Sequence, residues 1–332
     1  MRSRMQCCRL GLLLIVAASY AAASGKGKAE EQARPLLKAA EERSLFHADK
    51  SAPFGVVFKF NLRIPKASGG YSWLVTPDGD WRKETQFLNY TDLEINRGTT
   101  LWTKRSTAFR PLSAGWVEGA FNNFEYLNRA EDKITRYFTT SDHHVELRCM
   151  DVLRNETAQT LCFDPDDNLR RVVLKKPRLT YEYSDYRPAG KKFAPYKMIA
   201  RSEEDGFAFE GTLDRLLLEP KFDASLLAPP SGASTRIGCL RPTLPNPKTE
   251  NLAPNYPPDA RAQRQQGSVT AYILIASDGS VQNPAIIQTG GQYLDAAVLE
   301  TIRKWRFDPA MCGRAPVDFE TEVNVQFTIE TH

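Results

Sequence analysis

The sequence predicts an α+β protein in which a mainly antiparallel β region over residues 53–227 is followed by a small ββαβ domain over residues 255–332. Two patterns carry this expectation. From Pro53 to Leu227 short β-branched and aromatic runs are broken by Gly, Pro, Asn and Asp, as in strands joined by turns. Beyond a proline-rich stretch, apolar residues recur first at every second position, then at helical spacing, then at every second position again. A length of 332 residues exceeds the roughly 100–200 of one typical domain, so two folded domains plus termini are expected.

Residues 1–23 begin with Arg2, Arg4 and Arg9, continue through an apolar run from Leu10 to Ala18, and end in small residues at Ala21-Ala22-Ala23. This order reads as a secretory signal peptide; the apolar run falls short of the ~20 residues that span a bilayer, which argues against the alternative of an uncleaved anchor. Cys7 and Cys8 precede the apolar run, unlike a lipid-modified cysteine, and leave with it. The net charge of +4 also loses those three arginines, and the remaining balance is too even for nucleic acid binding.

Residues 24–52 read as a helical or flexible lead-in, with Leu36, Leu37 and Leu45 at loosely helical spacing and Pro35 where a helix could begin. Strands are predicted at Phe54–Phe60, Tyr71–Val75, Trp81–Leu88, His144–Cys149 and Arg171–Leu174, with a turn at Pro77–Asp80. Ala120–Tyr137 breaks the habit: Phe121, Phe124, Tyr126, Leu127 and Ile134 fall near helical spacing and predict one or two helices covering the sheet.

Four cysteines remain after residue 23. Cys149 and Cys162 flank Asn155-Glu156, and a two-residue turn there places them opposite one another on paired strands, with two buried free thiols as the alternative. That leaves Cys239 and Cys312, whose bond would pin the proline-rich linker at 228–254 to the terminal domain.

In the terminal domain Gly267–Ile275 reads as a half-buried strand, Asp278-Gly279 as a tight hairpin turn and Val281–Gln288 as the second strand. Leu294, Ala297, Val298, Ile302 and Trp305 recur at three- and four-residue spacing as one helix, with Asp295 near its start and Arg303, Lys304 and Arg306 near its end; Pro309 stops it. Val317–Phe327 alternates apolar with polar as a long third strand with one wet face.

This order, together with Tyr256-Pro257, Gly267-x-Val269, Asp278-Gly279-x-Val281, Leu294-Asp295-x-Ala297, Trp305-Arg306-Phe307-x-Pro309-Ala310, Gly313-x-x-Pro316-Val317 and Val323-x-Val325-x-Phe327, closely resembles the TonB C-terminal domain family. The resemblance implies a periplasmic protein of a Gram-negative bacterium that binds outer-membrane receptors or other envelope proteins by adding their extended segments to a sheet edge. The matching edge is the third strand, and the implied partner-binding residues are Tyr256, Val317, Phe319, Val323, Asn324, Val325, Gln326 and Phe327. The same edge could instead pair with a second copy of the chain as a homodimer. The TonB energy transducers combine an inner-membrane helix with a long proline-rich spacer. This chain departs from both, so motor coupling requires residues 1–23 to be retained as a membrane segment.

The middle region is similar to LolA-type half-barrel carriers in Leu161-Cys162-Phe163-Asp164-Pro165-Asp166-Asp167-Asn168-Leu169, Tyr181-Glu182-Tyr183-Ser184-Asp185-Tyr186-Arg187, Phe193-Ala194-Pro195-Tyr196-Lys197 and the closing Phe222–Pro230. That resemblance implies a curved sheet holding a hydrophobic ligand, with Trp73, Trp81, Trp102 and Trp116 as candidate lining residues or else plain core. It supports the alternative of a periplasmic lipid or lipoprotein carrier whose terminal domain localises or dimerises it.

No phosphate loop, nucleophile elbow, Cys-x-x-Cys or zinc signature is present, so no enzyme, cofactor or metal is expected. His143 and His144 adjoin on a predicted strand and would face opposite sides; Asp164, Asp166 and Asp167 read as a polar turn without the spacing of a calcium loop.

Overall fold

The computed structural model describes residues 11–329, apart from 47–52, 64–65, 108, 126, 143, 155–156, 176–177, 204–207, 219, 221 and 240–241, and side chains from residue 27 onward except that of Ala208. The chain opens with α1 (Gly11–Arg43) and a meander of β1 (Phe54–Leu62), β2 (Ala67–Val75), β3 (Trp81–Phe87), β4 (Tyr90–Arg97) and β5 (Thr100–Arg105). After α2 (Leu112–Glu125) a second meander follows: β6 (Lys133–Asp142), β7 (Val145–Arg154), β8 (Thr157–Phe163), β9 (Leu169–Lys175), β10 (Arg178–Ala189), β11 (Lys192–Ser202) and β12 (Ala208–Leu218). A 3-10 turn at Ala224–Leu227 leads to β13 (Ser234–Ile237), β14 (Asn246–Pro247) and α3 (Pro258–Ala262). The terminal domain comprises β15 (Gly267–Ile275), β16 (Val281–Gln288), α4 (Gln292–Ile302), three short strands β17 (Phe307–Asp308), β18 (Ala310–Cys312) and β19 (Ala315–Val317), and β20 (Phe319–Phe327).

By internal contacts the chain divides into one unit of residues 1–49, 60–66 and 117–213 and a second of residues 50–59, 67–116 and 214–332. The division runs through the region read from sequence as a single β domain.

In the first unit, β6 to β12 pair antiparallel with their sequence neighbours, as short turns between alternating strands dictate. α1 lays Ala29, Ala33, Leu36, Leu37 and Ala40 into the core at three- and four-residue spacing. It does not begin at Pro35; that proline lies inside the helix. The part of α2 from Val117 buries Phe121 and Phe124, and Phe124 meets Tyr183 edge-on at 4.8 Å while Phe46 meets Phe121 at 5.2 Å. The Tyr183 hydroxyl donates to the Ala120 carbonyl at 2.9 Å and accepts from Asn123 at 2.8 Å, so its polar end is satisfied inside the core. The cavity beside these rings, lined by Arg43, Phe124, Leu169 and Phe193 among others, holds about 10 Å³, room for one water.

The helix expected over Ala120–Tyr137 stops at Glu125, and Ile134 lies on β6, where its burial at 4% serves strand packing. His144, expected on a strand, sits at φ 70° in the turn between β6 and β7; His143 is outside the described residues, as are Asn155 and Glu156. Cys149 and Cys162 are directly paired across β7 and β8 and disulfide-bonded, with a Cα separation of 4.1 Å. The Asp164 turn is self-contained: its carboxylate accepts the Asp166 and Asn168 amides, and Arg148 pairs with Asp167 at 2.6 Å. Those oxygens are spent on backbone and guanidinium donors rather than arranged around an ion.

In the second unit, the strands run in the order β13, β5, β4, β3, β2, β1. Trp73, Trp81 and Trp116 are buried here as core, and Trp102 is half-buried. Trp73 packs edge-on against Phe54 at 4.9 Å, and the Lys83 ammonium lies 4.9 Å from one indole ring and 5.0 Å from the other, that of Trp81.

The stretch expected as a linker carries strands instead. β13 pairs with β5, and the Gly238 amide donates to the Thr99 carbonyl at 2.7 Å. Thr243 and Met311 exchange hydrogen bonds through the Thr243 amide and hydroxyl, both at 2.9 Å, and β14 pairs with β17. Asn251 bonds the Arg306 amide and carbonyl, and the Trp305 indole donates to the Leu252 carbonyl at 2.8 Å. Cys239 is bonded to Cys312 with a Cα separation of 5.8 Å. Prolines block helix and central strand but allow two-residue bridges and side-chain bonds, so a proline-rich composition does not make a free tether.

Candidate partner-binding edge

The terminal sheet is ordered β16, β15, β20. β15 sends Val269, Ala271, Ile273 and Ile275 to one face, where they meet Leu294, Val298 and Ile302 of α4. α4 is shorter than the spacing implied: it ends at Ile302, and Trp305, half-buried against this core, lies beyond it. The β15–β16 connection is also wider than a two-residue hairpin, running from Ala276 to Ser280. Of the expected Asp-Gly pair only Gly279 has positive φ, at 80°, and a Cβ there would lie 2.0 Å from the Phe307 carbonyl oxygen.

The two outer strands differ. β16 contains Pro284, Asn283 at φ 47° and two breaks in register against β15, features that discourage further pairing. β20 pairs with β15 without a break from Gly267↔Phe327 to Ile275↔Phe319 and carries no proline. Among the described residues no strand pairs with its outer side.

β20 directs Val323, Val325 and Phe327 toward the α4 core and Glu320, Glu322, Asn324 and Gln326 to the opposite face. That second face was expected to be wet along its length; at its start it is dry. Glu320 receives both Nη atoms of Arg105 at 3.2 and 3.1 Å and Arg236 Nη1 at 2.7 Å. Arg105 Nε also donates to Asp92 at 3.0 Å, Tyr90 donates to the same oxygen at 2.9 Å, and Arg110 pairs with Glu94 at 3.1 Å. Tyr272 and Leu274 of β15 are buried on this face at 3% and 7% exposure. A cluster of three carboxylates and three guanidiniums therefore fastens the start of β20 to β4, β5 and β13. Burial alone would push the Glu320 carboxyl up; Arg105 and Arg236, with Arg110, more than reverse this and hold it far below the usual carboxylate range. Burial, reinforced by Glu320, pushes the Tyr272 hydroxyl upward.

Residues 253–329 match the family described as the Gram-negative bacterial TonB protein C-terminal. This segment is a TonB C-terminal domain. It is 28% identical over 80 residues to protein TonB of Vibrio cholerae, a match covering 24% of this chain and 33% of that protein, so the alignment spans about a third of the curated relative. The TonB C-terminal domain of Pseudomonas aeruginosa, solved in solution, is 27% identical over 29% of this chain and 96% of its own, with a TM-score of 0.25. A LolA superfamily protein from Nitrosomonas europaea aligns over 59% of this chain and 97% of its own at 11% identity and a TM-score of 0.42. Over this segment the chain is similar to TonB proteins of the Gram-negative envelope. Among the described residues no helix is long and apolar enough to cross a membrane, and no three metal-ligating side chains converge.

The TonB C-terminal domain distributes the residues singled out from sequence between support and surface. Tyr256 is support: its hydroxyl bonds the Gln265 carbonyl and its ring meets Phe327 edge-on at 5.5 Å. Val317 is not on the edge strand at all. Asp318 interrupts the expected strand, and Val317, 2% exposed, pairs with Ala310 in the β18–β19 ribbon. Phe319, Val323 and Val325 are half-buried and Phe327 is buried, whereas Asn324 and Gln326 are exposed. The reading missed Glu320, Arg105, Arg236, Asp92 and Tyr272. Glu320 has the same polar phase as Glu322, and nothing local distinguishes a strand glutamate that will meet two arginines from one that will not.

The depressed Glu320 carboxyl has a pH consequence. The unfolded chain binds this proton more tightly, so the contact stabilises the domain fully above about pH 4.5 and loses that contribution as pH falls toward the depressed native value. In urea unfolding from pH 7 to 2, the stability gap between the wild-type chain and Glu320→Gln is expected to stay level down to about pH 5 and to close below it.

Proposed function

We propose that this protein is an envelope docking protein whose TonB C-terminal domain takes an extended segment of an outer-membrane receptor or another envelope protein as an added strand along β20. The observation that carries the reading is the contrast between a bulged, proline-bearing β16 and a regular β20 whose outer side pairs with no strand among the described residues. Backbone donors and acceptors on such an edge supply affinity, and side chains on alternate faces supply selection. Because the domain is fastened by Glu320 and by the Cys239–Cys312 bond, it acts as a fixed dock within its unit rather than as the end of a flexible arm. The export signal at residues 1–23 and a periplasmic location belong to the same reading; residues 1–10 lie outside the described part of the chain.

The carrier alternative calls for a chamber in the middle region. The experiment that separates it from docking is whether the full chain retains a hydrophobic ligand when no partner protein is present.

Hydrogen exchange on the full chain tests the docking reading with a purified outer-membrane receptor and, separately, a peptide of its periplasmic extended segment. Amides of Phe319–Phe327 are expected to slow about tenfold on binding. Slowing of this strand with rising protein concentration and no partner would instead show pairing of two copies, and protection confined to α4 or to the first unit would overturn the reading.

A further inference from the structure

A row of polar side chains crosses the terminal sheet on the face away from α4. Gln288, Thr270 and Asn324 are direct cross-strand partners on β16, β15 and β20. Thr270 donates its single hydroxyl hydrogen to Gln288 Oε1 at 3.0 Å, so toward Asn324 it can only accept. Asn324 accordingly turns its Nδ2 inward, to Thr270 Oγ1 at 3.0 Å and to Ser268 Oγ. The carboxamide is planar, and with its nitrogen bound on the β15 side its oxygen points away from β15, toward the side of β20 that pairs with no strand among the described residues. Thr270 is 5% exposed and Asn324 is exposed, so the row is dry in the middle and ends in solvent at an acceptor.

We infer that Asn324 sets the register and the chemistry of whatever strand docks on β20: its carboxamide oxygen takes a hydrogen from a glutamine or asparagine side chain on the incoming strand. This inference rests on the docking reading proposed above. A residue directly opposite Asn324 on an added strand would have its Cβ roughly 4.5–5.5 Å away, within reach of a side-chain amide. Its neighbours on that strand face the other side, alongside Val323 and Val325, which pack on the α4 core. The occupant is therefore an extended peptide of the pattern apolar–amide–apolar. An amide suits the position better than a carboxylate, which would set a second acceptor against the Asn324 oxygen. It also suits better than an aliphatic side chain, which would strand that oxygen without a donor.

The probes are three nine-residue peptides with valine on one face and alanine on the other, solubilised by terminal lysines and differing only in a central alanine-face residue: glutamine, leucine or glutamate. Binding to the full chain is measured by calorimetry, with hydrogen exchange of Phe319–Phe327 to locate it. The glutamine peptide is expected to bind about tenfold tighter than the leucine peptide and tighter still than the glutamate peptide. In Asn324→Leu the glutamine preference is expected to vanish while the leucine peptide keeps its affinity. Equal affinities in the wild-type chain, or a preference that survives Asn324→Leu, would overturn the inference and leave strand docking standing. Failure of all three peptides to bind or to slow exchange on β20 would remove the inference together with the docking reading.

Discussion

Replacement of Glu320 by glutamine is expected to lower the unfolding free energy of the full chain by about 3 kcal/mol. Glu320 is the carboxylate shared by Arg105 and Arg236, and the three side chains are 14%, 7% and 20% exposed. Removing its charge leaves a desolvated cluster of three guanidiniums with two carboxylates, Asp92 and Glu94. The cost of the change is set by the orphaned charge rather than by the pair's own net contribution, which desolvation largely offsets. Two comparisons separate these effects. Glu300→Gln, which breaks an exposed pair with Lys304 at 2.9 Å, is expected to leave the unfolding free energy nearly unchanged, because water screens both charges. A joint Arg105→Met and Glu320→Met variant is expected to be less damaged than the sum of its single changes, because the two removals compensate in charge. A Glu320→Gln chain as stable as wild type in urea would show that the terminal domain is held by something other than this cluster.

The Cys239→Ser, Cys312→Ser double variant carries the other large expected effect, a loss of about 4.5 kcal/mol in oxidising conditions. This bond closes a loop across 73 positions of sequence, whereas Cys149–Cys162 closes one across 13. The chain-entropy relation gives about 3 kcal/mol for the shorter loop, so the two double variants are expected to differ by about 1.5 kcal/mol, the Cys239–Cys312 pair being the more costly. Parallel denaturant titrations measure the order. A reversed order would mean that the unfolded chain already keeps residues near Cys239 and Cys312 together, as the hydrogen bonds from Thr243 and Asn251 would favour.

The terminal domain was largely legible because its periods are clean. A strand with one face on a helix must alternate, as β15 does, and a helix with one buried stripe must place Leu294, Val298 and Ile302 four residues apart. The middle region was less legible where the patterns overlap. Phe121 and Phe124 belong to a helix and Ile134 to a strand, and a window spanning the turn between them reads as one periodic element. Val317 and Val323 share the alternating phase of a single strand. Only the backbone break at Asp318 assigns them to different sheets.

Local physical chemistry therefore determined from the sequence alone which segments of the terminal domain are strand and helix, which side chains face its core, and the family it resembles. Each of those follows from contacts between residues near in sequence or from a repeated period. The tertiary structure alone decided that the proline-rich stretch is strapped down, and that Glu320 is an anchor while Asn324 is the exposed end of a polar row. Arg105 and Arg236 reach Glu320 from 215 and 84 positions away, and no sequence period encodes a meeting at that separation. It arises only when the buried face of Tyr272 and Leu274 brings the elements together.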